Sequence, residues 1–213
     1  MDFAAIRDMA ERVRDNVGRV IVGKRQVIDL MLVALISSGH ILLEDVPGMG
    51  KTLLAKTLSK SLDLRFKRVQ FTPDLLPADI TGLHYYNQKQ GDFTFRQGPI
   101  FTNILLGDEI NRATPRTQSS LLECMEERQV TIDGTTFGLE DPFMVIATQN
   151  PIEIRGTFPL PEAQLDRFLV KIDMGYPELD EGLEILKRFK DKQPLDTIER
   201  VVDHKEIIAA RKT

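Results

Sequence analysis

The sequence predicts an α/β protein built around a largely parallel, five-stranded sheet. Short segments at 40–44, 66–71, 103–107, 142–148 and 168–172, most of them apolar, have the length of core strands, and helices separate them. A glycine-bearing loop joins the first segment to a helix, a connection typical of parallel strands.

The elements follow in order. Phe3, Ile6, Met9, Val13, Val17 and Val20 recur three and four residues apart, the stripe of an amphipathic opening helix. Residues 28–38 are apolar on nearly every side, as in a buried helix, and Ser37-Ser38-Gly39 ends it. His40 to Glu44 forms the first strand, and helical spacing resumes from Leu53 to Leu62. Phe66 to Phe71 is the second strand, after which Pro73, Pro77 and Gly82 punctuate an irregular stretch. Tyr85-Tyr86 and Phe93-Thr94-Phe95, with polar residues between, predict a small hairpin. Beyond the strand 103–107, Thr114 and Pro115 sit at the cap and first position of a helix reaching about Arg128. Asp133-Gly134 predicts a tight hairpin between 130–132 and 135–137. After the last two strands, residues 178–190 predict a polar helix and 205–212 the start of another.

Composition narrows the function. With 28 Lys and Arg against 32 Asp and Glu the net charge is −4, and 42% hydrophobic residues are enough for a core, so a disordered chain is excluded. The acidic balance argues against a duplex-binding surface. The longest unbroken apolar stretch, 30–36, falls far below the roughly 20 residues of a membrane helix. Met1-Asp2-Phe3 does not open a secretory signal, so a cytoplasmic location is expected. Cys124 is the only cysteine, which removes an intrachain disulfide and a paired-thiolate zinc site. In phase with Leu121, Leu122 and Met125, it is expected to pack rather than to do redox chemistry.

The chemistry concentrates in a few segments. Pro47-Gly48-Met49-Gly50-Lys51-Thr52, between a strand and a helix, has the form of a P-loop. Its glycines let backbone N–H groups turn around a phosphate, and the helix N-terminus adds its positive end. Lys51 is expected to reach the terminal phosphates and Thr52 to offer its hydroxyl to Mg²⁺. The generic pattern has glycine where this chain has Asp45, although the turn depends mostly on Gly48 and Gly50. The competing reading is an ordinary βα turn. Asp108-Glu109 ends the third strand, where Asp108 suits Mg²⁺ bound through water and Glu109 suits polarising an attacking water. Two acids at a strand end, taken alone, equally describe a solvated turn. Asn150 ends the next strand and can orient that water, but as a dipeptide Asn150-Pro151 reads first as a turn. Arg167 is the best candidate for an arginine finger entering a neighbouring subunit's site, with an ion pair to Asp166 or Asp173 as its alternative. Arg112 and Arg155 are weaker candidates.

Together these segments resemble the MoxR-type AAA+ ATPases, with Leu42 to Thr52 as Walker A and Leu106 to Ala113 as Walker B. Phe95 to Phe101, Ala147 to Pro151 and Phe158 to Phe168 match in order and spacing, so the resemblance runs from about Val20 to Tyr176. Within that family Asp45 is an acceptable variant. The resemblance implies a P-loop αβα sandwich with its five core strands in the order 5-1-4-3-2. It implies ATP or ADP held by Val22, Gly23, Pro47, Gly48, Met49, Gly50, Lys51, Thr52 and Leu53, with Mg²⁺ at Thr52 and Asp108. Glu109 becomes the catalytic base, Asn150 sensor 1 and Arg167 the trans-acting finger. Residues 75–95 resemble a helix-2 insert and 130–137 a pre-sensor-1 hairpin, both of which face the pore in related rings. The expected division is a core at 1–176, then a linker and the beginning of an incomplete helical lid at 177–213, with no sensor 2 context around Arg211. Implied partners are further copies in a ring, a hexamer by analogy, together with a von Willebrand A domain protein and a client protein.

The expected function is therefore Mg-dependent ATP hydrolysis driving chaperone-like remodelling of a protein client. Two alternatives stand beside it. A nucleotide-gated binding module without turnover has no use for Glu109 or Arg167. A nucleic-acid motor calls for basic hairpin tips, whereas one tip here is Asp133-Gly134 and the insert mixes Lys89 with Asp92. Tyr85-Tyr86 suits either gripping a substrate or packing across its own hairpin.

Overall fold

The computed structural model describes residues 2–44, 48–150, 156–190 and 194–213. Helix α1 (Phe3–Gly18) starts at Asp2, whose carboxylate accepts from Ala5 N–H at 2.8 Å, and turns Met9, Val13 and Val17 inward. Helix α2 (Arg25–Ile36) follows, and strand β1 (Ile41–Glu44) leads towards helix α3 (Lys51–Ser61) and strand β2 (Phe66–Gln70). A short helix α4 (Pro77–Thr81) then introduces the antiparallel pair β3 (Gly82–Asn87) and β4 (Asp92–Gln97). Strand β5 (Ile104–Asp108) precedes helix α5 (Pro115–Glu127) and the tight hairpin β6 (Gln129–Ile132) and β7 (Thr135–Gly138). Strand β8 (Met144–Gln149), the single-turn helix α6 (Glu162–Leu165), strand β9 (Val170–Asp173) and helices α7 (Leu179–Phe189) and α8 (His204–Arg211) complete the described chain.

Five strands form one all-parallel sheet in the order β2-β5-β8-β1-β9. Numbered among themselves these are 5-1-4-3-2 read from the opposite edge, the order expected. Alternation along each strand divides the core into two layers. Ile41, Leu43, Ile104, Leu106, Met144 and Ile146 face α1, α2 and α3. Leu42, Leu105, Val145 and Ala147 face α5 and the hairpins. Because both faces are covered, the central strands are apolar almost throughout. The parallel register brings the strand ends bearing Glu44, Asp108 and Gln149 to one edge of the sheet.

Local details differ from the sequence expectation where tertiary contacts intervene. Strand β8 begins at Met144 rather than 142, after the cis Asp141–Pro142 bond. Thr114 occupies the cap position of α5, but its hydroxyl meets Thr117 Oγ1 at 3.3 Å instead of a helix amide. The expected boundary after 176 falls between β9 and α7. Beyond it, Val202, Ile207 and Ala210 join the core layer of α1, α2 and α3. Arg12 donates to Val201 O at 2.5 Å and pairs with Glu206 at 2.6 Å, and Arg211 donates twice to Leu35 O at the end of α2.

Candidate functional site

Strand β1 runs into the glycine loop, where Gly50, the N-cap of α3, and Gly48 both have positive φ, +79° and +92°. A Cβ at either position would meet nothing within 4 Å, so the loop borders open space rather than packed protein. That space is a cavity of about 440 Å³. The loop and first turn of α3 supply Gly48 to Leu53 on one side, β2 supplies Arg68 and Gln70, and the ends of β5 and β8 supply Asp108, Glu109, Thr148 and Asn150. Four separate segments of sequence thus converge on one pocket at the carboxyl edge of the sheet, where ligands of open parallel sheets bind.

Thr148 organises the acids. Its hydroxyl donates to Asp108 Oδ1 at 2.6 Å and accepts from the Glu109 N–H at 2.9 Å. Glu109 is itself left-handed, φ +57°, so the chain turns sharply off β5 into the short 3₁₀ turn Ile110–Arg112. Such a conformation costs an ordinary residue about 1–2 kcal/mol and persists where surrounding contacts hold it, here the Thr148 hydroxyl on the Glu109 N–H and the Arg112 pair. Glu109 Oε2 accepts from Gln70 Nε2 at 2.9 Å and pairs with Arg112 at 3.1 Å. Asp108 Oδ2 pairs with Arg68 at 2.5 Å. Gly107 makes room for this strand end, since a Cβ there would lie 3.2 Å from both Ile110 and Phe71 side-chain carbons.

A second cleft, about 380 Å³ and mostly apolar, opens on the other side of the loop. Val20, Ile21 and Val22 form one wall, Met49 and Leu53 the floor shared with the first cavity, and Ile185 and Phe189 of α7 the opposite wall. The pairing of a polar pocket with an apolar slot suits a molecule with phosphates at one end and a flat ring at the other. Gly23, φ +72°, lies against Glu181 of α7, where a Cβ would collide with the carboxylate. Its observed part is to let α7 close over the cleft.

The donor set also fits a hard divalent cation. Thr52 and Asp108 offer oxygens to the same cavity as Lys51. Among the described residues no group of three or more His, Cys, Asp or Glu forms a cage. Magnesium characteristically takes one or two protein oxygens and completes its shell with phosphate and water.

Of the expected site residues, Gly48, Met49, Gly50, Lys51, Thr52, Leu53, Asp108, Glu109 and Asn150 come together in the first cavity, and Val22 lines the second. Pro47 lies outside the described residues, as do Asp45, Pro151 and Arg155. Arg167 stands elsewhere. It precedes β9, and Leu169 N–H donates to His40 O at the start of β1, so Arg167 sits at the amino edge of the sheet, opposite the cavity. Its guanidinium grips Glu126 of α5 through Nε at 2.8 Å and Nη2 at 2.6 Å, in place of the Asp166 or Asp173 pairing weighed from sequence. Arg112 belongs to the Glu109 pair. Sequence reasoning missed Arg68, Gln70 and the role of Thr148. The alternation of polar Arg68 and Gln70 with apolar Val69 and Phe71 along one strand was the available signal.

Comparison with known proteins places this geometry. The AAA family of ATPases, "associated with various cellular activities", matches residues 40–170. The uncharacterized protein YeaC of Bacillus subtilis is 55% identical over 91% of this chain and 61% of its own length. Chaperone MoxR1 of Mycobacterium tuberculosis is 53% identical over 84% of this chain and 47% of its own length. The chain belongs to the MoxR family of AAA+ ATPases. A crystal structure of a candidate ATPase from Cytophaga hutchinsonii, 46% identical, superposes with a TM-score of 0.89 over 97% of this chain and 63% of that one. The MoxR-family chain thus has a P-loop AAA+ fold and spans roughly half to three-fifths of the length of these curated relatives. Among its described residues no helix is long and apolar enough to cross a membrane.

Proposed function

We propose that this MoxR-family chain binds ATP with Mg²⁺ across the two clefts and hydrolyses it, and that the cycle drives chaperone-like remodelling of a protein client in the cytoplasm. The observation that carries the reading is the convergence of Asp108, Glu109 and Asn150, from two other strands, on the cavity bordered by the glycine loop. A phosphate-binding loop alone needs none of them.

Lys51 and the loop amides hold the phosphates, and the apolar slot between Val22 and Phe189 takes the base. Thr52 and Asp108 would hold Mg²⁺, and the ion, when bound, would supply positive charge beside the transferred phosphoryl group. Glu109 accepts the proton of the attacking water, and Gln70 and Arg112 fix the carboxylate that does so. Asn150 aligns the same water. Arg167 faces away from its own cavity, so its finger role requires a second copy, which in a ring presents it to the next site. The copy number proposed is six, by analogy with related rings, with a von Willebrand A domain protein as the outside partner.

The two hairpins act as one unit towards the client. His84 Nδ1 and Asp133 Oδ2 lie 2.8 Å apart, and Phe95 stacks on Phe137 at 4.4 Å. Tyr86 and Phe93 pack across the insert at 5.5 Å and still expose 55% and 67% of their surface, an apolar grip beside a turn in which Lys89 is offset by Asp92. A polypeptide fits that surface better than a nucleic acid.

The deciving test is steady-state hydrolysis of Mg-ATP by the chain and by Glu109→Gln, with equilibrium nucleotide binding measured beside it. Turnover by the parent that falls at least about 100-fold in the variant, with binding kept, is the expected result. Binding without turnover in either protein turns the reading towards a nucleotide-gated module, and absence of binding refutes it.

A further inference from the structure

Arg68 is a second cation in the phosphate cavity beside Lys51, and the P-loop chemistry above does not use it. It stands on edge strand β2 opposite Leu106. Its Nη2 lies 2.5 Å from Asp108 Oδ2 and 3.0 Å from Gln70 Oε1. Gln70 in turn gives its Nε2 to Glu109, so both acids are tied to the same edge strand through adjacent outward positions. Asp108 therefore has both oxygens engaged, one by the neutral Thr148 hydroxyl and the other by a full positive charge. The charged partner sits on the carboxylate that the cavity offers to a divalent cation. At 46% side-chain exposure, on the sheet edge, the guanidinium is screened and has solvent on one side, so the pair is readily exchanged.

We infer that Arg68 is a positioning residue that stands in for the divalent cation at Asp108. It neutralises the carboxylate while no metal is bound, which lets polyphosphate approach the two acids, and it yields Asp108 when the cation arrives. The inference rests on reading the cavity as a Mg-nucleotide site. It makes Asp108 neutralisation two-stage, by Arg68 first and by the metal second. A purely structural stitch between β2 and β5 has no such dependence on metal.

Equilibrium binding of ATP to the intact chain, by calorimetry in excess EDTA and again in excess Mg²⁺, separates the two. In Arg68→Gln, which can keep a hydrogen bond to Asp108 but not the charge, affinity in EDTA falls about tenfold while affinity in Mg²⁺ changes less than about threefold. Arg68→Lys restores most of the EDTA affinity. Arg68→Met, which keeps the aliphatic stem, gives the same split as Arg68→Gln and serves if that variant does not fold. Equal losses in EDTA and Mg²⁺, or no loss in either, overturn the inference and leave the nucleotide site standing. A parent chain that binds ATP in neither condition overturns both.

Discussion

His40 joins three elements at the amino edge of the sheet, and acidification should break that joint. The residue is 4% exposed and immediately precedes β1. Its Nδ1 accepts from the Val145 N–H of β8 at 2.9 Å, and its Nε2 lies 3.1 Å from Met125 O of α5. An amide can only donate and a carbonyl only accept, so the ring is neutral with its proton on Nε2. Burial pushes its pKa down from 6.5 to about 4, with Arg128 and Arg211 adding to the fall and the Met125 carbonyl opposing it. The unfolded chain therefore takes up this proton near pH 6.5 and the folded chain only near pH 4. Stability from His40 is fully present above pH 6.5 and is lost as pH falls from 6.5 to 4. The span corresponds to about 3 kcal/mol at 1.36 kcal/mol per pKa unit. Urea unfolding of the parent and of His40→Asn, from pH 7.5 to 4.5, measures it. The stability difference between the two proteins should shrink by about 2–3 kcal/mol over that range, because only the parent carries the titrating ring. Parallel pH profiles would refute the assigned tautomer and its burial penalty.

Two further outcomes test the frame around the site. A Cβ at Gly98 would fall 2.1 Å from Ile80 O and 2.5 Å from Gly82 N, both backbone, so Gly98→Ala should cost about 3 kcal/mol in urea unfolding. Gly138→Ala, with nothing within 4 Å, is its control, and a cost below about 1 kcal/mol at Gly98 would contradict the observed packing of the insert. Arg211→Met removes two hydrogen bonds to Leu35 O, at 2.9 and 2.7 Å, and the pair with Asp141, from a side chain only 9% exposed. A loss of about 2 kcal/mol is expected, with earlier proteolytic cleavage within 194–213, and an unchanged unfolding midpoint would mean that α8 does not cap α2.

Local chemistry was legible in the chain itself. A glycine loop between an apolar strand and a helix is defined by consecutive residues, because the backbone freedom of Gly48 and Gly50 and the direction of the following helix are short-range properties. The same holds for Asp133-Gly134, whose turn requires left-handed backbone at both positions and takes it. The three central strands were legible because burial on both faces writes an apolar run into each, whereas the edge strands β2 and β9 mix apolar and charged residues and were legible from their length and position between helices. Their ends shifted by a residue or two where contacts outside the strand, such as those around Pro142, decided the first ladder bond.

The elements, the phosphate loop and the acids at a strand end are therefore specified by short stretches of chain. Those depend on backbone preference and hydrophobic pattern, which are written within short windows. Partner choice across the sheet comes instead from the packing of strands distant in sequence. Arg68 and Gln70 meet Asp108 and Glu109 because β2 lies beside β5, some 40 positions on, and Thr148 meets them because β8 flanks β5 on the other side. Arg167 takes Glu126 rather than its nearer acids because the turn before β9 packs on the end of α5. Such partnerships are Coulombic and hydrogen-bonding contacts of a few ångströms, and their range is set by distance in space, to which separation along the chain is no guide.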